Sequence, residues 1–132
     1  MIIVMFTFIA FYSVLTYNRN FVWKDEMSLW DDTVRKSPNK GRPYNNRGYA
    51  YMQKGLLGMA IKDFDRAILL EPDIDAGYYY NRGNAYNKKG DYDKAIADYN
   101  EAIRIKPDYA AAYANKDIAN KRKWWARQGS NL

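Results

Sequence analysis

The chain repeats itself at a fixed interval of 35 residues. Gly48 returns as Gly83, Ala60 returns as Ala95, and Pro72 returns as Pro107. A constant period in this range is typical of solenoids, in which one supersecondary unit stacks on the next. The chain is therefore expected to present an extended surface, which favours a binding function over a catalytic one.

The residue types at the repeated positions resemble the tetratricopeptide repeat (TPR), whose pattern is an aromatic, Leu-Gly, Tyr, Ala-x-x-x-Phe and Pro. The first copy reads Tyr44, Arg47, Gly48, Tyr51, Ala60, Phe64 and Pro72. The second copy reads Tyr79, Arg82, Gly83, Tyr86, Ala95, Tyr99 and Pro107. The resemblance covers residues 41–108. The chain departs from the family at Arg47 and Arg82, where Leu is usual.

This resemblance implies an all-α fold, a TPR α-solenoid of antiparallel helix pairs with an apolar helix before it. Helices are predicted at residues 25–37, 42–54, 58–71, 76–89, 92–105 and 109–126. The predicted organisation is an apolar anchor helix (1–20), a half-repeat helix (21–40), two repeats (41–74 and 75–108), and a capping helix with its tail (109–132). Because Gly inside a helix costs about 1 kcal/mol relative to Ala, Gly48 and Gly83 predict close helix crossings opposite Ala60 and Ala95.

Residues 1–17 carry no charge and are mostly apolar. Apolar and aromatic side chains surround the whole predicted helix, which favours a single membrane-spanning anchor. Two alternatives remain open, a buried first helix of the solenoid and a cleavable signal peptide. Arg19 and Lys24 follow the apolar run and weakly indicate that the repeats are cytoplasmic.

The segment after the apolar run has a resemblance of its own. Its residues Asn18-Arg19-Asn20, Asp25-Glu26, Leu29-Trp30 and Ser37-Pro38 resemble the junction in membrane-bound glycosyltransferases that carry C-terminal TPR repeats. That resemblance implies that the chain is the tail of such an enzyme without its catalytic part, and that the repeats lie outside. The expected localisation is thus membrane-associated, with the side of the membrane open.

The composition argues against an enzyme. The chain has no Cys and no His, which excludes nucleophile–His pairs and the usual zinc sites. We expect no cofactor and no metal. The carboxylates close to helical Lys and Arg residues are predicted to be solvated charges; they are Asp63, Asp65, Asp91, Asp93 and Asp98.

The formal net charge is +6, and cations and tryptophans cluster at residues 121–127. The favoured interpretation is a capping helix whose Trp124 and Trp125 cover the last repeat while the charges face water. A membrane-surface contact is the second interpretation. Nucleic acid is the third, and it is not expected to be the partner.

In the TPR family the first helices of successive repeats line a concave groove. The resemblance, with the helical steps of three and four residues, predicts nine peptide-binding residues on that face: Asn46, Tyr49, Tyr80, Asn81, Asn84, Lys88, Asn115, Lys121 and Arg122. Asn amides can hold a peptide backbone, and the three cations favour a protein or peptide with an acidic end. The alternative is that the Asn side chains satisfy neighbouring groups of the fold.

Two functions follow from this sequence. The first is a membrane-tethered protein-interaction scaffold that binds an extended peptide in the groove. The alternative is a self-assembling structural protein, because repeats that stack head to tail form homo-oligomers or filaments.

Overall fold

The computed structural model describes residues 27–129, and this part of the chain consists of helices joined by short turns. The helices are α1 (27–36), α2 (Gly41–Gln53), α3 (Leu57–Leu70), α4 (Ala76–Lys89), α5 (Tyr92–Ile105) and α6 (Ala110–Gly129). The bounds of α2 to α5 agree with the predicted ones to within a residue. The prediction ended α6 too early, because no Pro or Gly interrupts the helix before Gly129.

The chain divides into two compact units, the first ending at Lys36 and the second beginning at Ser37. Helix α1 is the described part of the first unit, and its assignment to a half-repeat stays a prediction. The predicted anchor and most of the glycosyltransferase-like junction lie outside the described residues. Among the helices from 27 to 129, none combines the length and hydropathy that crossing a membrane requires.

In the second unit the helices form a regular succession. Helix α2 packs on α3, and α4 packs on α5, while α3 joins the first pair to the second. Short turns connect the two helices of each pair, so the partners run antiparallel. Helix α6 packs on α5 and reaches α4, and α4 in turn contacts α2. The first helices α2, α4 and α6 therefore lie side by side.

The close helix crossings occur at the two repeated glycines. A Cβ atom added to Gly83 would lie 2.8 Å from Cε1 of Tyr99 and 3.3 Å from the Ala95 carbonyl oxygen. A Cβ atom on Gly48 would lie 2.9 Å from Cε1 of Phe64. The sequence predicted that Gly83 contacts the helix that carries Ala95, and it does. The atoms nearest to Gly83, however, belong to the ring of Tyr99.

Local signals set the turns and helix ends. Gly55 and Gly90 have φ angles of 76° and 86°, a left-handed conformation that costs Gly least. The Asp91 carboxylate accepts a hydrogen bond from the Lys94 amide, as a helix N-cap does. The Asp75 carboxylate caps α4 through the Gly77 amide at 2.8 Å.

The two arginines that replace the usual Leu form buried ion pairs. Arg47 donates to both carboxylate oxygens of Asp63, each at 2.8 Å. Arg82 binds Asp98 in the same way, at 2.8 and 2.7 Å. Asp63 and Asp98 are only 7% and 5% exposed, so the prediction that they are solvated charges is wrong. A bidentate guanidinium satisfies both carboxylate oxygens, which makes their burial tolerable.

Arg82 also connects the repeats to each other. Its Nη1 donates to Asp65 of the preceding pair at 2.6 Å, and its guanidinium lies 5.7 Å from the Tyr79 ring and 6.0 Å from the Tyr86 ring. Burial disfavours the Arg82 charge, but the hydrogen bonds to Asp98 and Asp65 outweigh burial and raise the pKa of the guanidinium.

The last helix ends the described solenoid with a polar face. Asp117, at the position of Gly83, is exposed, so a carboxylate replaces the surface on which a following helix would pack. Trp124 and Trp125 are 53% and 66% exposed, and their rings contact each other edge to face at 4.6 Å. The interpretation that these rings cover the last repeat is therefore wrong.

Candidate functional site

A cleft of about 440 Å³ lies across α2, α4 and α6. Seven of the nine predicted peptide-binding residues line it: Tyr49, Tyr80, Asn81, Asn84, Lys88, Asn115 and Arg122. Asn46 and Lys121 are not among the lining residues. The other lining residues are Met52, Gln53, Asn87 and Ile118. The helical spacing thus brings the predicted residues together, and whether they bind a peptide stays a prediction.

Asparagine side chains link the first helices across the floor of the cleft. Nδ2 of Asn81 in α4 donates to Oδ1 of Asn45 in α2 at 3.0 Å. Nδ2 of Asn115 in α6 donates to the Tyr80 hydroxyl in α4 at 3.1 Å. Asn81 and Asn115 are equivalent positions, as are Asn45 and Tyr80, so one inter-helix bond occurs twice. The alternative that these Asn side chains form hydrogen bonds with neighbouring groups of the fold is therefore correct in part. Each amide group still has donor or acceptor capacity that these bonds do not use.

A larger hydrogen-bond network surrounds Asn84. Oδ1 of Asn84 accepts a hydrogen bond from the Tyr99 hydroxyl at 2.8 Å and another from Nδ2 of Asn115 at 2.8 Å. Burial raises the pKa of Tyr99 to about 12, and the neighbouring Asn87 side chain partly opposes that rise. Tyr99 is therefore a protonated donor at neutral pH. The network connects α4, α5 and α6 behind one half of the cleft.

Cations lie at one end of the cleft. Arg122 donates from Nη1 to Oδ1 of Asn87 at 3.3 Å, which directs its guanidinium toward the cleft wall. Lys88 is exposed and lines the same cleft. None of the lining residues is an Asp or Glu. The cleft can therefore attract a carboxylate through long-range charge and bind it through the remaining guanidinium donors.

The α2 side of the cleft is less polar. Tyr49 is 48% exposed and Met52 is 5% exposed, and both lie in α2. On the other side of α4, Ile118 of α6 adds apolar surface that is 43% exposed. An exposed Tyr offers flat apolar area with a polar tip. The cleft therefore offers both apolar contact and hydrogen bonds, as an extended peptide requires.

A second cleft of about 510 Å³ lies between the α4–α5 turn and the end of α6. Its charged groups largely neutralise one another, since Lys123 pairs with Asp93 and Lys94 next to it pairs with Asp91. We regard the cleft across α2, α4 and α6 as the candidate site because amide and cationic side chains from α4 and α6 line it and no carboxylate in its lining neutralises them.

The predicted residues lie on the helix face that lines the cleft, but two residues that belong to the cleft or contact it were not among them. Asn87 lines the cleft and accepts a hydrogen bond from Arg122, but it is not one of the nine predicted residues. Tyr99 entered the sequence analysis only as a position of the repeat pattern, because its place in the second helix gives no sign of a polar role. The signal was available in the comparison with Phe64, which lacks the hydroxyl at the equivalent position.

The model of the tetratricopeptide repeat family matches residues 42–74 and 76–109, which together make up half of the 132 residues. The chain is a member of the tetratricopeptide-repeat family. No curated protein matches the sequence significantly.

Solved structures of TPR domains superpose well on this chain. The first TPR domain of human RPAP3 has a TM-score of 0.77 at 17% identity, covering 86% of this chain and 88% of that one. MamA has a TM-score of 0.72 at 30% identity, with 82% of this chain and 63% of MamA covered. The first TPR of Spaghetti (RPAP3) bound to the HSP90 peptide SRMEEVD has a TM-score of 0.72 at 18% identity, covering 80% of this chain and 83% of that one. This chain thus spans less than two thirds of MamA.

Proposed function

We propose that this TPR protein is an interaction scaffold that binds an extended peptide with an acidic end in the cleft across α2, α4 and α6. The observation that carries the proposal is the composition of the cleft: amide groups on its floor, Lys88 and Arg122 at one end, and no carboxylate in its lining. TPR domains are in general protein-interaction modules without catalytic activity, which agrees with this function.

The peptide-bound neighbour supports the choice of ligand. In the structure of the first TPR of Spaghetti, a fold similar to this one is bound to a peptide that ends in Glu-Glu-Val-Asp. The identity of 18% makes this a likeness of fold, so the residues of the present cleft have to account for any specificity here.

The first experiment is a calorimetric titration of the full chain in detergent with the peptide SRMEEVD and with the same peptide as a C-terminal amide. We expect the free carboxylate to bind more tightly. Lys88→Glu should weaken binding, mainly through slower association, and the effect should fade at high salt. Lys89→Glu makes the same charge change one residue outside the cleft lining, and it serves as the control.

Asn81→Ala and Asn115→Ala test the floor of the cleft. Loss of one hydrogen bond should weaken peptide binding by about two- to tenfold. Thermal midpoints of both variants separate binding from stability, because each Asn also bonds a neighbouring helix. If neither peptide binds the wild type, or if the two Lys variants behave alike, the binding surface lies elsewhere.

We further propose that residues 1–17 tether the scaffold to a membrane. The support is the uncharged apolar run itself. A chain of residues 18–132 should stay helical in circular dichroism and no longer float with liposomes. Unfolding of the repeats in this deletion would instead assign residues 1–17 to the solenoid core.

Self-assembly and the origin as a glycosyltransferase tail remain predictions. Head-to-tail assembly would appear as concentration-dependent growth in light scattering, and the exposed Asp117 on the last helix does not favour it. The origin as a glycosyltransferase tail rests on sequence resemblance alone.

A further inference from the structure

The two repeats differ, among other places, at three neighbouring positions. Tyr99, Asn84 and Asn87 stand where the first copy has Phe64, Tyr49 and Met52. The hydroxyl that distinguishes Tyr99 from Phe64 donates to Asn84, and Asn87, one helical turn after Asn84, accepts a hydrogen bond from Arg122. The hydrogen bond that the second helix of a repeat donates to its first helix at Asn84 therefore exists only in the second of the two repeats.

The hydroxyl determines which way the neighbouring amides face. Because Oδ1 of Asn84 accepts from both Tyr99 and Asn115, its Nδ2 group is left to donate into the cleft. Nδ2 of Asn115 donates to both Tyr80 and Asn84, so its Oδ1 is left to accept. One donor and one acceptor thus stand on adjacent helices, which is the complement of one main-chain carbonyl and one main-chain N–H of an extended peptide.

The cationic end of the cleft lies next to this network. Asn87, one helical turn after Asn84, accepts a hydrogen bond through Oδ1 from Nη1 of Arg122 at 3.3 Å. This bond holds the guanidinium beside the Asn84–Asn115 pair. In the first repeat, Met52 and Phe64 form an apolar counterpart, with Phe64 fully buried.

We propose that the buried Tyr99 hydroxyl is a positioning group that divides the cleft into two parts and sets the direction of the peptide. The α2 side, with Tyr49 and Met52, takes an apolar side chain of the ligand. The α4–α6 side binds a main-chain carbonyl at Nδ2 of Asn84, a main-chain N–H at Oδ1 of Asn115, and a carboxylate at Arg122. The inference rests on the proposed peptide-binding function, and it names the ligand as an extended segment with an apolar residue and an acidic end.

The test compares Tyr99→Phe with Tyr86→Phe in the full chain. Both variants lose one hydroxyl from the same repeat, and both rings belong to the same apolar cluster, but Tyr86 does not line the cleft. The probes are SRMEEVD and its C-terminal amide, and the readout is the ratio of the two affinities. Tyr99→Phe should lower the affinity for the free carboxylate by about two- to tenfold and reduce the ratio, whereas Tyr86→Phe should leave both unchanged.

Side-chain amide signals in ¹⁵N NMR spectra of the unliganded protein test the positioning role without any peptide. The signals of Asn84, Asn87 and Asn115 should shift in Tyr99→Phe and stay in place in Tyr86→Phe. Asn84→Asp, which replaces the donor by an oxygen at nearly constant shape, gives a second variant if Tyr99→Phe loses its cooperative thermal transition.

The outcomes distinguish the peptide-binding function from the positioning role of Tyr99. If the wild type binds neither peptide, the proposed function and the ligand assignment both fail, while the amide signals still decide whether Tyr99 orients the network. If the wild type binds and Tyr99→Phe keeps the wild-type affinity ratio and the wild-type amide signals, the positioning role is overturned and peptide binding stands.

Discussion

The substitution Gly83→Ala tests the packing on which both the fold and the cleft depend. The added Cβ would lie 2.8 Å from Cε1 and 3.0 Å from Cδ1 of Tyr99, well inside the usual carbon–carbon separation of about 3.5–4.0 Å. Tyr99 is fully buried and its hydroxyl is bonded to Asn84, so the ring has little room to retreat. The helices α4 and α5 must move apart instead.

Two opposing effects decide the magnitude. Overpacking of a close-packed interior costs about 1–3 kcal/mol, whereas replacing a helical Gly by Ala gains about 0.5–1 kcal/mol. We therefore expect a net loss of roughly 0–2.5 kcal/mol, with a central value of about 1 kcal/mol. For a domain of this size about 1 kcal/mol corresponds to a thermal shift of about 4–8 °C, which circular dichroism resolves easily.

Gly58→Ala is the matched control. Gly58 is also helical, but a Cβ atom there would meet nothing within 4 Å, so only the helical gain remains. The thermal midpoint should fall in Gly83→Ala and rise in Gly58→Ala. Equal or parallel shifts in the two variants would refute the argument that Gly83 is required by contact with Tyr99.

Three further predictions concern charge and capping. Arg82→Met should destabilise the fold by roughly 3 kcal/mol in urea titrations because it leaves the buried Asp98 carboxylate unpaired, and adding Asp98→Leu should recover most of that loss; no recovery would contradict the pairing. Asp75→Ala should cost about 0.5–2 kcal/mol in the same assay through loss of the α4 N-cap, and an unchanged midpoint would rule out that role. Burial raises the pKa of Tyr99 from 10.0 to about 12, so the unfolded chain loses this proton at a lower pH than the folded chain. The free energy of unfolding should therefore decrease as the pH rises between these two values, and it should decrease less in Tyr99→Phe. Equal dependence on pH in the wild type and the variant would disprove the contribution of Tyr99.

The fold was predictable because the 35-residue period fixed the helix pairs, and the breakers fixed their ends. Gly90 and Pro107 lie where α4 and α5 end. The ion pairs were not foreseen, since each residue alone looks like an ordinary surface charge. Their common spacing of 16 residues, Arg47 to Asp63 and Arg82 to Asp98, recurs with the period and could have revealed them.

The candidate site was predictable to the level of a helix face. Steps of three and four residues place Tyr49, Asn84 and Asn115 on adjacent first helices, and these line the cleft. Hydrogen-bond partners were not predictable, because the choice between Asn45 and Asn46 as the partner of Asn81 depends on the distance between two helices. The same limit applies to Tyr99, whose hydroxyl reaches the cleft network from behind.

The internal repeat separates what holds this fold together from what distinguishes its cleft. Where the two copies agree, as at Gly83 and its counterpart Gly48, the residue forms a contact that both helix pairs need. The copies differ at Asn84, Asn87 and Lys88, and these three residues line the cleft. They also differ at Tyr99, whose hydroxyl donates a hydrogen bond to Asn84. The first copy has Tyr49, Met52, Gln53 and Phe64 at these positions, and the first three line the same cleft, so the two copies give the two halves of the cleft different chemistry. The ligand that we propose, which meets the second repeat and α6 through polar groups, accounts for this difference.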